Sequence, residues 1–282
     1  MEIKKIGVVG AGTMGAGIAQ VCLGGGFEVV VREVATDFLE SGLGRVRGGI
    51  AKWVEKGIVD APAAETMLSA LSGSTDLADL FGCDLVIEAI VEDLDAKTEV
   101  FRALDTGCAE ATILASNTSS ISITRLAAAT GRPDRVVGMH FFNPVPLMKL
   151  VEIVRGEATS DAVHEAIADL AVKLSKTAVT VADFPGFVSN RVLMPMINEA
   201  IFCLQEGVAS ADDIDTVMQL GMAHPMGPLR LADLIGLDVC LAIMEVLHSG
   251  YGDSKYRPCP LLRRKVDAGH TGRKAGQGFY VY

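Results

Sequence analysis

The sequence of 282 residues has few aromatic and few charged side chains, and it lacks long uninterrupted apolar segments. Aromatic residues make up 5% and charged residues 21%, whereas 50% are hydrophobic. This composition excludes a disordered chain and favours large buried cores, as in α/β proteins with a mostly parallel sheet. No stretch reaches the ~18 apolar residues of a transmembrane helix, so no membrane segment is expected.

Basic residues and paired cysteines are also scarce. The 25 Lys and Arg against 35 Asp and Glu give a net charge of −10, which argues against nucleic-acid partners and acidic membrane surfaces. The six cysteines form no C-x-x-C pair and show no metal-ligand spacing, so we expect buried free thiols and no metal site. The N-terminus shows no signal-peptide pattern, and a cytoplasmic location is expected.

A glycine-rich turn follows the first apolar run, Ile3–Val9, and precedes a helical pattern. It has the form G-x-G-x-x-G, with glycine at Gly10, Gly12 and Gly15. In such a turn the first glycine makes the tight bend, the second lets backbone approach a pyrophosphate, and the third lets helix and strand pack closely. Because a helix N-terminus favours an anion, the segment predicts a dinucleotide-binding α/β unit.

The second strand, 27–31, ends in Arg32 and Glu33. An acidic residue about 20 positions beyond the glycines is expected to accept hydrogen bonds from the adenosine ribose hydroxyls. Glu33 therefore favours NAD, since its charge would repel a 2′-phosphate. The neighbouring Arg32 is compatible with NADP, and Glu33 could also be a solvated strand end.

Strands and helices alternate through the rest of the first 184 residues. We predict further strands at 84–90, 112–115, 136–139, 148–154 and 177–182, and helices at 35–57, 61–71, 94–109 and 160–175. Because ligands in open α/β sheets lie beyond the carboxyl ends of the strands, three successive strand ends should bring Glu92, Ser119 and His140 to one edge. Such convergence indicates an active site.

His140 and Glu152 lie in two short apolar runs that a hairpin could pair. A carboxylate on one ring nitrogen fixes the imidazole tautomer and leaves the other nitrogen to exchange a proton. Taken alone, such a pair is more often structural. The neighbouring strand ends change that interpretation and predict a general acid–base.

From residue 187 onward the pattern becomes helical. Helices are predicted at roughly 187–206, 211–220, 228–249 and 259–268, which divides the chain into a Rossmann-type domain, 1–184, and an all-helical domain, 185–282. Asn190 lies one turn into the first of these helices and either faces the catalytic cleft or is a polar helix-terminus residue. By analogy with two-domain dehydrogenases, the helical domain is expected to form a homodimer or larger homo-oligomer.

Several segments together resemble the L-3-hydroxyacyl-CoA dehydrogenases, in particular the short stand-alone 3-hydroxybutyryl-CoA dehydrogenases. The resemblance runs from end to end and is most specific around His140 and Asn190. The segments that carry it are Gly7–Gly15, Glu88–Glu92, Ala115–Ser120, Met139–Pro146, Lys149–Glu152, Pro185–Arg191, Pro225–Pro228 and Gly276–Tyr280.

The resemblance implies oxidation of a short (S)-3-hydroxyacyl-CoA with His140 as general base and Glu152 as its partner. It implies that Ser119 and Asn190 contact the substrate oxygen. Lys52 and Lys56 would meet the CoA phosphates, although these two lysines are equally compatible with a solvated helix face. The residues expected at the cofactor are Gly10, Gly12, Thr13, Met14, Gly15, Glu33, Ala89, Ile90, Glu92, Lys97, Asn117, Ser119, Asn143 and Lys274.

One departure and three alternatives accompany this hypothesis. Many relatives carry Asp where Glu33 stands, which leaves the choice between NAD and NADP less certain. A hydroxy-sugar-acid dehydrogenase shares the architecture and the His–Glu pair. A β-hydroxyacid dehydrogenase of the 3-hydroxyisobutyrate type is disfavoured, because it uses a lysine where Asn190 and Arg191 stand here. A catalytically silent NAD-binding protein would bind cofactor without turnover.

Overall fold

The computed structural model describes residues 2–282. The chain divides into two compact units: the first ends at Asp183, and the second is Phe184–Tyr282. Within the described residues, no helix is both long enough and apolar enough to cross a bilayer.

The first unit is built on one eight-stranded sheet with the order β3-β2-β1-β4-β5-β6-β7-β8. Strands β1 to β6 are parallel, β7 is antiparallel to β6, and β8 is parallel to β7. The strands are β1 Lys5–Val9, β2 Glu28–Arg32, β3 Leu71–Ser74, β4 Leu85–Glu88, β5 Ile113–Ser116, β6 Val136–Phe141, β7 Leu150–Arg155 and β8 Thr177–Ala182. This arrangement confirms the predicted doubly wound, mostly parallel sheet.

Six helices connect these strands: α1 Thr13–Gly24, α2 Thr36–Glu55, α3 Ala61–Ser69, α4 Leu94–Gly107, α5 Ile123–Ala127 and α6 Asp161–Lys173. Side-chain oxygens of Asp60, Asp93 and Ser160 cap the N-termini of α3, α4 and α6. The central strands β4 and β5 are buried along their whole length. Buried parallel strands read as unbroken apolar runs, which is why the sequence revealed them.

The sequence did not predict strand β3 or helix α5 of the first unit. Strand β3 has the sequence LSGS and no fully buried residue, so it lacks an apolar run. The predicted helix over 61–71 overlaps its first residue. Its pairing with β2 makes it a strand. Helix α5 has five residues, too few to show a helical repeat.

The second unit is helical, as predicted, and is formed by α7 Ser189–Gln205, α8 Ala211–Thr216, α9 Pro228–Ile235, α10 Leu237–Tyr251 and α11 Pro260–Asp267. A π-helical turn, Val217–Gly221, follows α8. The prediction of one helix over 228–249 was wrong, because Gly236 at φ +106° separates α9 from α10. Ile201, Leu229 and Leu247 are among the residues at the centre of its core.

A buried carboxylate holds the C-terminal segment of this unit. The Oδ1 of Asp233 accepts the backbone N–H of Phe279 at 2.9 Å, and its Oδ2 accepts that of Tyr280 at 3.0 Å. The hydroxyl of Tyr282 donates to the same Oδ2 at 3.1 Å. A side chain at Gly278 would overlap the carboxylate, since a Cβ there would lie 2.0 Å from Oδ1. The end of the chain is therefore part of the packed structure.

Candidate active site

The three glycines of the turn after β1 meet different surroundings. Gly10 has φ +98°, and a Cβ there would lie 2.6 Å from the carbonyl oxygen of Ala89. A Cβ on Gly15 would lie 1.8 Å from the carbonyl oxygen of Gly10. A Cβ on Gly12 would meet nothing within 4 Å. Internal packing thus explains Gly10 and Gly15, whereas Gly12 borders open space.

The N-terminus of α1 opens on this space. Its N-cap is Gly12, which supplies no side-chain cap, and the first turn contains no acidic residue. Thr13 is exposed and Met14 is half-buried at the start of the helix. The backbone N–H groups at a helix start need an acceptor, and a pyrophosphate is a suitable one. The turn therefore fits the phosphates of a dinucleotide such as NAD.

Glu33 ties the end of β2 to the glycine turn. Its Oε2 accepts the N–H of Ala11 at 2.9 Å, and its Oε1 accepts the N–H of Val34 at 2.7 Å. Each carboxylate oxygen has a second lone pair, so these bonds leave acceptor capacity for ribose hydroxyls. The guanidinium of Arg45 on α2 donates to the carbonyl oxygen of Ala11 at 3.0 Å, a contact that the sequence did not reveal. Arg32 lies half-buried beside Glu33.

The predicted hairpin forms and joins His140 to Glu152. The two residues are register partners on β6 and β7, and the imidazole Nδ1 lies 2.7 Å from the Glu152 Oε2. His140 is 8% exposed and Glu152 is 2% exposed. Because a carboxylate accepts, Nδ1 carries a proton, which fixes the imidazole tautomer. The Phe142 ring contacts the imidazole at a centroid distance of 4.6 Å.

Asn117 connects the end of β5 to the histidine strand. Its Oδ1 accepts the backbone N–H of Phe141 at 2.9 Å, one residue beyond His140. Its own backbone N–H donates to the carbonyl oxygen of Glu88 at 2.8 Å. The strand ends β4, β5 and β6 are thereby linked at one edge of the sheet, where Ala89 and Ile90 are half-buried.

Glu92 accepts hydrogen bonds from the hydroxyl-rich turn that follows β5. Its Oε1 accepts the Thr118 hydroxyl at 2.6 Å and the backbone N–H groups of Ser119 and Ser120 at 2.9 and 3.1 Å. Burial raises the pKa of Glu92, but the charge of Lys97 and hydrogen bonds from residues 118–120 lower it by more, so it lies below its ordinary value. Glu92 is therefore a carboxylate at neutral pH.

Lys97 on α4 lies beneath Glu92 and is 1% exposed. Its Nζ lies 2.6 Å from the Glu88 Oε1 and 3.3 Å from the Glu92 Oε2. Glu88 is fully buried at the end of β4 and also accepts the N–H of Ile90 and the hydroxyl of Ser116. Sequence reasoning missed Glu88; the available signal was a carboxylate within a buried strand, which needs a partner.

The remaining predicted residues lie on other elements. Lys52 and Lys56 are exposed at the C-terminal end of α2. Asn143 is exposed on the loop between β6 and β7. In the second unit, Asn190 is half-buried in the first turn of α7, and Lys274 forms a 2.7 Å ion pair with Asp238.

The loop that carries Asn143 has an anchor that the sequence did not indicate. The ammonium group of Lys176, one residue before β8, donates to the carbonyl oxygens of Val145 and Met148 at 2.5 and 2.6 Å. Burial lowers the pKa of this lysine. Lys176 therefore holds the loop between the two strands that bear His140 and Glu152.

Two family models cover nearly the whole chain. The model described as "3-hydroxyacyl-CoA dehydrogenase, NAD binding domain" matches residues 5–184. The model described as "3-hydroxyacyl-CoA dehydrogenase, C-terminal domain" matches residues 186–282.

Individual proteins agree with these matches. A probable 3-hydroxybutyryl-CoA dehydrogenase of Bacillus subtilis is 58% identical over 100% of this chain and 98% of its own length. A 3-hydroxybutyryl-CoA dehydrogenase of Bradyrhizobium diazoefficiens is 54% identical over 99% of this chain and 96% of its own. The crystal structure of (S)-3-hydroxybutyryl-CoA dehydrogenase PaaH1 from Ralstonia eutropha superposes with a TM-score of 0.97 at 49% identity, covering 100% of this chain and 99% of that one. The chain therefore belongs to the NAD-binding 3-hydroxyacyl-CoA dehydrogenase family of oxidoreductases.

Proposed function

We propose that this protein interconverts (S)-3-hydroxybutyryl-CoA and acetoacetyl-CoA with NAD. The observation that carries the proposal is the 2.7 Å contact between the His140 Nδ1 and the buried Glu152 carboxylate, on the strand that Asn117 joins to the end of β5. Relatives at 54 and 58% identity bear the name of this activity, which supports the short acyl chain.

The chain's own residues handle the proton. In the oxidative direction the Nε2 of His140 takes the proton of the C3 hydroxyl, and in the reductive direction the imidazolium returns it to the new alkoxide. Bound NAD supplies the hydride acceptor for the C3 hydrogen. Glu152 stabilises the imidazolium through the Nδ1–H hydrogen bond, and general acid–base assistance of this kind is worth ~10²–10⁴ in rate.

Other residues of the proposed site bind and orient. Ser119 and Asn190 would hold the substrate oxygen and the negative charge that develops on it. Lys52 and Lys56 would bind the CoA phosphates, for which two exposed cations on an acidic protein are suitable. These assignments depend on the family resemblance.

A homodimer or larger homo-oligomer is part of the same proposal. In the second unit Val217, Leu220 and Met222 are each at least 60% exposed. Clustered apolar surface of this kind is typical of protein–protein contacts. Light scattering coupled to size-exclusion chromatography would measure the oligomer directly, and a monomeric mass at micromolar concentration would contradict this part of the proposal.

We also expect a cytoplasmic location, because the six cysteines are unpaired in the described chain.

The experiment that tests the function measures NADH oxidation with acetoacetyl-CoA as substrate. His140→Gln should lower kcat by ~10²–10⁴ while the NADH Kd stays unchanged. His164→Gln is the matched control, because that histidine lies on α6 and contacts the Thr180 hydroxyl rather than a carboxylate. Near-normal turnover in His140→Gln would refute the assignment.

Cofactor turnover measured in both directions separates the alternatives. Reduction of NAD by free hydroxy-sugar acids, without NADH oxidation by acetoacetyl-CoA, would favour a sugar-acid dehydrogenase. NADH binding without turnover of either substrate would identify a silent NAD-binding protein.

A further inference from the structure

The buried ion pair between Lys97 and Glu88 lies beneath the turn that carries Ser119. Lys97 comes from α4 and Glu88 from β4, and both side chains are at most 1% exposed. Glu88 makes two further contacts that fix it, with the backbone N–H of Ile90 at 2.7 Å and the Ser116 hydroxyl at 2.6 Å. A buried carboxylate with three donors is a rigid anchor for the lysine.

Lys97 also contacts Glu92. The Glu92 carboxylate lies 3.3 Å from the same ammonium group and is 38% exposed. Its Oε1 receives donors from the whole Thr118–Ser120 turn, including the Ser120 hydroxyl at 3.0 Å. One oxygen that serves several donors needs a full negative charge, and Lys97 stabilises that charge from below.

We propose that Lys97 is a positioning residue that holds Glu92, and through Glu92 holds the turn that carries Ser119. The family resemblance assigns Lys97 to the cofactor, but its ammonium group is buried between two carboxylates. Two of its three N–H donors serve Glu88 and Glu92, and withdrawing the ammonium group from Glu88 would leave a buried charge without a partner. The effect on catalysis rests on the proposed role of Ser119, whereas the effect on the turn does not.

The first test is amide hydrogen exchange of the protein without ligands. In Lys97→Met the peptide that covers residues 116–121 should exchange at least about tenfold faster, because the amides of Ser119 and Ser120 lose their ordered acceptor. Lys173→Met removes an exposed lysine from the end of α6 and should leave this peptide unchanged. Unchanged exchange in Lys97→Met would overturn the proposal, whatever reaction the enzyme catalyses.

The second test compares kcat with NADH affinity. If Lys97 positions the turn, Lys97→Met should lower kcat for acetoacetyl-CoA reduction by about 10²-fold, the effect of losing one preorganised donor, while the NADH Kd from fluorescence titration changes little. If Lys97 binds the cofactor directly, the Kd should rise at least about tenfold and kcat at saturating NADH should persist. That second pattern would overturn the proposal.

The double variant Glu88→Gln/Lys97→Met separates positioning from fold stability. Removing the lysine alone leaves the buried Glu88 carboxylate and the partly exposed Glu92 carboxylate without a cation, which is expected to destabilise the fold. Neutralising Glu88 as well should restore most of the thermal stability, but Glu92 still lacks its cation. We expect kcat to stay low and exchange at 116–121 to stay fast. If kcat and slow exchange at 116–121 return together with the thermal stability, Lys97 only neutralises Glu88. That result would refute the positioning role.

Absence of acetoacetyl-CoA reduction by the unaltered protein would instead contradict the proposed function. The exchange measurement would still decide whether Lys97 holds the turn.

Discussion

Substitution of Gly12 by alanine should weaken NADH binding without unfolding the protein. The backbone at Gly12 has φ −65° and ψ −169°, an extended conformation that alanine adopts readily. The new methyl group would meet no protein atom within 4 Å. It would occupy the space in which the pyrophosphate is expected to approach the start of α1. The protein should therefore fold, and the cofactor should bind more weakly.

The structure sets the size of both effects. Alanine is a poorer N-cap than glycine, which should cost at most about 1 kcal/mol of the free energy of unfolding. Loss of one charge-assisted hydrogen bond to phosphate costs about 1.5–3 kcal/mol, which raises the NADH Kd about 10- to 100-fold. The other two glycines should behave in the opposite way, since their added Cβ would lie 1.8 Å and 2.6 Å from backbone oxygens. Gly15→Ala and Gly10→Ala should each lose about 2–4 kcal/mol of stability.

Urea denaturation and NADH fluorescence titration on the same variants provide the assay. Gly44→Ala is the control, because a Cβ at this helical glycine of α2 also meets nothing within 4 Å. It should gain up to about 1 kcal/mol of stability and keep its NADH Kd. Wild-type NADH affinity in Gly12→Ala would refute the phosphate-binding role of this turn. Full stability in Gly15→Ala would refute the packing argument.

Three further predictions follow from buried groups and from cofactor choice. Asp233→Ala should cost about 3–5 kcal/mol in urea denaturation, because the C-terminal segment loses three hydrogen bonds; the exposed Asp212→Ala should cost under about 1 kcal/mol, and equal losses would contradict this account. Burial raises the pKa of Cys22 to about 12, so this thiol stays protonated and unreactive at pH 8. A disulfide reagent should therefore label mainly the half-buried Cys203 in the folded protein and all six thiols in urea, whereas rapid native labelling of several would be inconsistent with the structure. The KM for NADPH should exceed the KM for NADH. Glu33→Gln should lower the ratio of these two KM values about tenfold, since it removes a charge that repels the 2′-phosphate. An unchanged ratio would contradict a role of Glu33 in cofactor choice.

Much of the fold could be predicted from local patterns. The apolar runs of β1, β4 and β5 and the glycine turn are local signals, because burial on both faces of a strand demands consecutive apolar residues. The hairpin that pairs His140 with Glu152 was also predicted and is confirmed by the register of β6 and β7. Strand β3 and the helix break at Gly236 were missed, because a short polar edge strand and a single glycine give weak local signals.

The partners of buried charges required the tertiary structure. The sequence by itself determined the α/β class, the dinucleotide turn and the order of the strand ends, all of which depend on periodicity over a few residues. Only the tertiary structure decided that Lys97 lies between Glu88 and Glu92, and that Glu33 binds the glycine turn. Strand order, register and the direction of each side chain determine these partners, and local composition predicts none of them. A buried charge must find whichever opposite group the packed sheet and helices bring within reach.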